Sequence, residues 1–346
     1  MSEKIEGFHG SRSQKNAVVG VHEFDNLLNM YQVDEIKELF PKNLFVPSKL
    51  HHRSAWNFDC WFALKIPDSQ SPIEAINDFI KLNDILIAEP VLKIKRYNGE
   101  GGWDIVENSP RNPFIKTSQK DIRSIANQTS SPAKWEPNDP FLQQQAWHYD
   151  KIQMQQAWSI HNSGDNVIVS VHDGGINYLH ADIYNNMWGN VGPDGSVTLA
   201  DSHGTHVAGT VAAVSNNDIG VAGIAGGDGS GNGARLMSID IFEGSYSTYE
   251  GYVYAAQHEA SISQNSWGYE TANAYNTPDL EGIDYFYVNG GGEILSGGVV
   301  IFAAGNEGNS QNWYPAFYEK TIAVAATTQN DSKASFSNYG VWIDIS

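Results

Sequence analysis

Beyond residue 140 the chain repeats one pattern: a short apolar run, a polar or glycine-rich break, then a stretch of small or amphipathic residues. The runs are VIVSVHD (167–173), RLMSIDIF (235–242), ISQNSWG (262–268), GGVVIFAAG (297–305) and TIAVAA (321–326). Between them lie helix-forming stretches, a small-residue one over 205–214 and YEGYVYAAQHEA over 249–260. Continuous apolar strands alternating with helices predict a parallel sheet covered on both faces. In such a sheet the chemistry collects at the carboxyl ends of the strands. Three of these ends carry capable polar groups: Asp173, Asn265 with Ser266, and Asn306.

The first hundred residues read differently. Residues 56–66, WNFDCWFALKI, predict a strand, and residues 33–40 an earlier helix. SPIEAINDFIKL predicts a helix with Ser71 as N-cap, Pro72 at its first position and Glu74 completing a capping box. Residues 91–97, VLKIKRY, predict a further strand, so this part is a small α+β unit. From 98 the text turns polar, with NGEGG, SPRNP, NQTSSP and EPNDP supplying turn and linker chemistry. The expected division is therefore 1–97, a linker over 98–139, and 140–346.

Composition narrows the partners. Against 40 Asp+Glu stand 21 Lys+Arg, a net charge of −19, which excludes the basic face that binding nucleic acid requires. The acidic excess suits divalent cations instead. Apolar residues at 41%, with 12% aromatics, are enough for a sizeable core. The single cysteine, Cys60, rules out an intramolecular disulfide and any cysteine-rich metal cluster. Near the amino terminus the longest apolar stretch is 17–21, too short for the core of a signal peptide. Later runs such as 299–304 fall far short of the roughly 20 residues that span a bilayer, so no membrane span is expected.

The candidate chemistry centres on DSHGTHVAGTVAA, where His203 and His206 stand three apart ahead of a helix-forming run. A zinc site through both histidines is one reading, although the zinc-protease pattern needs histidines four apart with a glutamate between them. The other reading joins His203 to Asp173 at the end of a buried strand. A carboxylate beside an imidazole fixes its tautomer and stabilises the imidazolium.

The segments VIVSVHDGGINYLHADI, HGTHVAGTVAA, QNSWG and FAAGNEG occur in the order and local form that resembles the subtilisin-like serine proteases, the subtilases. The resemblance covers about residues 140–346, and IEAINDFIKLNDILIAEPVLKI is similar to the end of a subtilase propeptide. It implies an α/β parallel-sheet catalytic domain preceded by a ferredoxin-like α+β pro-region. Asp173 would be the triad aspartate, His203 the general base, and Asn306 the donor to the oxyanion, while His206 would be structural. Ser266, Trp267 and Gly268 would pair with substrate backbone as an added β-strand. Trp313, ahead of Tyr314 and Pro315, would lie at the base of the pocket for the side chain preceding the cut bond and favour small residues there. A calcium ion would be held by Asp182, Asn217, the carbonyls of Ile219 and Val221, one near Val214 or Ser215, and a glutamine from 143–145.

Two departures stand out. The family usually carries Ser or Thr after the triad aspartate, and here Gly174 follows. The family's nucleophile lies in a G-T-S-x-A-x-P motif that residues 1–346 do not contain, so the nucleophile is expected beyond residue 346 and this stretch alone is expected to be inactive. The implied protein is a secreted or cell-surface endopeptidase precursor acting on polypeptides, with its own pro-region as inhibitor. The alternative is a non-catalytic, calcium-stabilised binding or inhibitory module.

Overall fold

The computed structural model describes residues 22–97, 135–189, 201–242 and 246–346. They fall into two compact units, the first running to Lys93 with Asn276–Asp279, the second comprising Ile94–Tyr275 and Leu280–Ser346. Most of the polar linker expected over 98–139, and the stretch 17–21, lie outside the described residues.

In the first unit, α1 (His22–Met30) and α2 (Pro72–Phe79) accompany an antiparallel pair, β1 (Glu35–Glu38) and β2 (Phe62–Lys65). Leu28, Tyr31, Val33, Ile36, Ala75 and Phe79 form one buried cluster. The α2 start keeps half of the expected capping box: Ser71 Oγ accepts from the Glu74 amide at 3.3 Å, with Pro72 next to it, while the Glu74 side chain does not return a bond to the Ser71 amide. Residues 33–40, expected as a helix, contain strand β1 instead. Their Glu and Lys residues have helical propensity, yet Val33 and Ile36 are buried while Asp34 and Lys37 face solvent, and the Asp34 amide donates to Lys65 O. Pairing with a distant strand overrides local preference. The strand expected over 56–66 is confined to β2, with a 3-10 turn at Phe58–Cys60 before it. Among the described residues the sheet has two strands, fewer than a full ferredoxin-like unit.

The second unit is built on a parallel sheet. Its strands are β4 (Ile168–Asp173), β5 (Arg235–Asp240), β6 (Ile262–Asn265), β8 (Val299–Ala303) and β9 (Ile322–Val324), in the order β5-β4-β6-β8-β9. Helices α3 (Leu142–Lys151), α4 (Met154–Ile160), α5 (Ser202–Ala212), α6 (Thr248–Gln257) and α7 (Thr277–Asn289) accompany it. Val169, Val171 and Leu236 of the sheet are buried in one cluster with Ala208 and Ala212 of α5. This is the parallel α/β architecture that the alternating pattern predicts. The register aligns Asp173 with Asp240, His172 with Asn265, and Asn265 with Phe302, which brings the strand ends side by side.

A separate antiparallel ribbon pairs β3 (Ile94–Arg96) with β7 (Trp267–Tyr269). The strand read over 91–97 thus exists, but its partner is β7 rather than a strand of the first unit.

Candidate active site

Asp173 closes β4 and is 1% exposed. Its Oδ1 accepts from the Gly174 amide at 2.8 Å, and both its oxygens face His203 Nδ1, at 2.9 and 2.8 Å. Helix α5 can approach β4 this closely because of its small residues. A Cβ on Gly204 would collide with the Gly175 carbonyl oxygen and come within 3.2 Å of Asp173 Cβ. Asp201 caps the same helix, its Oδ1 accepting from the His203 amide at 2.6 Å. His203 is therefore held by its backbone at a helix start and by its ring on a buried carboxylate.

That contact raises the His203 pKa above the ordinary imidazole value. The hydrogen bond to Asp173 is the main cause; burial opposes it, while the Asp173 charge and a backbone hydrogen bond to Tyr97 reinforce it and Arg96 opposes it. With Nδ1 engaged, Nε2 is the nitrogen left to exchange a proton. His206 is exposed. No cluster of three or more His, Cys, Asp or Glu suited to a metal exists among the described residues.

Asn306 follows β8, after Gly305 in the left-handed region at φ 101°. Asn338 braces this loop and is wholly buried: its amide nitrogen donates to Ala304 O and Glu307 Oε2, and its Oδ1 accepts from the Glu307 and Asn309 amides. No sequence signal singled out Asn338, since its role depends on a fold contact with residues some thirty positions earlier.

Ser266, Trp267 and Gly268 divide their tasks. Ser266 O accepts from the Tyr97 amide at 2.9 Å, and Gly268 and Trp267 stand opposite Lys95 and Arg96. The Trp267 indole takes no part, being wholly buried against Phe302 and donating to Asn265 Oδ1 at 3.2 Å. Asn265, a strand-end candidate, spends its side chain on Tyr252, Ser263 and Ile301. The Tyr97 ring packs where Gly268 and Gly305 have no side chains; a Cβ on Gly305 would lie 3.1 Å from its Cζ. Burial and the nearby Glu307 charge push the Tyr97 phenol up. Trp313 is also buried, with its indole N–H on Asn309 Oδ1 at 3.0 Å. Its ring carries the Lys95 ammonium at 4.5 Å, and Lys95 pairs with Glu307 at 2.6 Å.

Residues 164–346 match the Peptidase_S8 subtilase family, just over half of the chain. The chain belongs to the subtilase family of serine proteases. Thermitase of Thermoactinomyces vulgaris is 34% identical over 217 residues, 60% of this chain and 72% of that protein. A thermophilic serine proteinase of Bacillus sp. (strain AK1) is 33% identical over 62% of this chain and 51% of its own length. The halolysin-like extracellular serine protease Nep of Natrialba magadii is 28% identical over 69% of this chain and 43% of its own length. The chain thus spans about half or less of the second and third of these subtilases.

Away from the histidine, the loop after α5 wraps Asp182. Asp182 Oδ1 accepts from Asn217 Nδ2 at 3.0 Å and Oδ2 from the Val221 amide at 2.9 Å, while the Ile219 amide donates to Asn217 Oδ1 at 2.8 Å. Of the glutamines over 143–145, Gln145 uses both ends of its amide on the backbone of Ala222. Asp139 lies at the same loop. Its Oδ2 accepts from the Asn216 amide at 2.7 Å, whereas Oδ1 is buried with no partner. Burial raises the Asp139 carboxyl pKa, opposed by the Asn216 and Asn217 amides and reinforced by the Asp182 charge. Two carboxylates and an amide side chain, with one buried carboxylate oxygen unmatched, are oxygen donors of the kind a hard cation takes.

Proposed function

We propose that the protein is the precursor of a subtilisin-like endopeptidase, and that residues 94–97 lie in its own cleft as the product-side strand of the processing reaction. The observation that carries this reading is the coincidence of two features. The Asp173–His203 pair is formed, and an extended segment of the same chain is hydrogen-bonded to Ser266–Tyr269 with its last residue, Tyr97, against His203.

In the reaction, His203 Nε2 takes the hydroxyl proton of a serine supplied outside residues 1–346. Asp173 holds the ring and stabilises its positive charge. The serine oxygen adds to the carbonyl carbon, and the Asn306 amide donates to the oxygen that becomes negative, an interaction whose loss typically costs about 100- to 1000-fold in rate. His203 returns the proton to the leaving amine, and water repeats the sequence on the acyl-enzyme. Applied to the chain itself, the cut bond follows Tyr97. Because a tyrosine ring already occupies the space beside Gly268 and Gly305, the pocket accepts an aromatic residue, in place of the small side chains expected from a Trp313 floor. The preceding chain keeps the strand in place after cleavage, so the pro-region acts as an inhibitor.

Calcium at Asp139, Asp182 and Asn217, with the carbonyls of Ile219 and Val221, would tie the start of the catalytic unit to the loop after α5. Secretion fits the extracellular relative, and no described helix is long and apolar enough to cross a membrane.

The test uses the protein extended through the nucleophile's motif. It should hydrolyse casein and be blocked by a serine-directed phosphonate, and His203→Ala should lower kcat by several orders of magnitude. Activity that survives His203→Ala nearly intact would refute the reading.

A further inference from the structure

The residue after the triad aspartate has no side chain in this chain, and the space it leaves is filled. The Arg96 guanidinium lies against Gly174: a Cβ there would collide with Arg96 Nη2 and stand 2.8 Å from both Cβ and Oδ2 of Asp201. Arg96 Nη1 donates to Asp201 Oδ2, its Nε lies 4.0 Å from Asp173 Oδ1, and its guanidinium carbon sits 4.3 Å above the Phe242 ring. The side chains of Arg96 and Asp201 are 23% and 17% exposed, so the pair is mostly shielded from water. An ion pair shielded in this way is less screened by salt than one at an open surface.

We propose that Asp201, with bare Gly174 beside it and Phe242 behind, forms a subsite that selects arginine at the second residue upstream of the cut bond. The inference rests on the reading of residues 94–97 as a product-side strand. In that strand Tyr97 is the first residue upstream and Arg96 the second, and their side chains leave the ribbon on opposite sides as alternate β-residues do. Arginine is favoured over lysine because its flat guanidinium can stack on Phe242 while donating sideways to Asp201, which a compact ammonium cannot do. Asp201 serves a second purpose as the α5 cap, so the subsite is anchored to the helix that carries His203. The departure at Gly174 then has a function: a Ser or Thr there would occupy the volume the guanidinium takes.

Two measurements test this. With the active protease, peptides ending Lys-Xaa-Tyr before the cut bond are compared with Xaa as Arg, Lys, Ala or Glu. The kcat/KM for Arg should exceed that for Ala by about tenfold or more, the scale of a hydrogen bond between charged groups. Asp201→Asn keeps a capping side chain but removes the charge, and should bring the Arg-to-Ala ratio close to one; Gly174→Ser should lower kcat/KM for Arg more than for Ala. A ratio within twofold in the unaltered enzyme, or one that Asp201→Asn leaves in place, overturns the proposal while leaving the protease reading intact.

Failure to cleave after tyrosine at all, with casein still hydrolysed, would instead strike the reading of residues 94–97 as the product-side strand. The subsite is then judged on residues 1–346 by hydrogen exchange of the β3 and β7 amides. Arg96→Ala and Asp201→Asn should each speed exchange about tenfold, and the double variant no further. Additive effects, or none, overturn it.

Discussion

The imidazole of His203 reports its surroundings directly. Its folded-state pKa lies above the ordinary value of 6.5 because Asp173 stabilises the charged ring. The stability this contact contributes is present in full below the unfolded-state value and is lost as pH rises through the folded value. Catalysis has the opposite slope, since the base must be neutral, so activity should rise with pH through the raised value. In Asp173→Asn only burial, the backbone bond and Arg96 remain of the causes, and the titration should fall below its unaltered position. NMR titration of the ring checks this, and an unchanged value would mean that the carboxylate does not govern it. At this scale the contact between Asp173 and His203 is legible in the sequence, because residue type, order and neighbouring motifs coincide. Asp139 and Asn338 are not. The first looks like one more acid in a polar linker and the second like one more amide in a turn, and only the fold shows the unmatched oxygen of one and the four bonds of the other.

Among the elements, helix α5 most closely governs the site. Gly204 lets it rest against the end of β4, so Gly204→Ala must push the helix off the Gly175 carbonyl or distort β4. Such overpacking typically costs about 1–3 kcal/mol. Thermal melting should show a loss of that order, and the His203 titration should move towards the ordinary value as the ring leaves Asp173. A variant of full stability with an unmoved titration would contradict the packing argument. Sequence reading did well for the parallel sheet because buried strands declare themselves as continuous apolar runs. It failed over 33–40, where the strand is short, half-charged and dependent on β2. Over 91–97 it recognised a strand without its partner: nothing within VLKIKRY says that its hydrogen bonds go to Trp267–Tyr269.

For the whole molecule, the proposed calcium would offset the charge of Asp182 on Asp139, in a chain of net charge −19. Calcium should stabilise the folded state by about 2.7 kcal/mol at a hundredfold excess over its Kd. Melting with calcium and with a chelator reads this. The shift should shrink in both Asp139→Asn and Asp182→Asn, and equal melting temperatures throughout would leave the loop without a metal role. On the proposed reading, having the Asp173–His203 pair and the 94–97 strand in one unit would make the chain its own first substrate. The most direct measurement is therefore the amino terminus of the mature enzyme released by the protein carrying its nucleophile, read by mass spectrometry alongside His203→Ala. The account predicts a new terminus at Asn98 that is absent in the variant. A terminus elsewhere, or one at Asn98 that still forms with His203 removed, would contradict it.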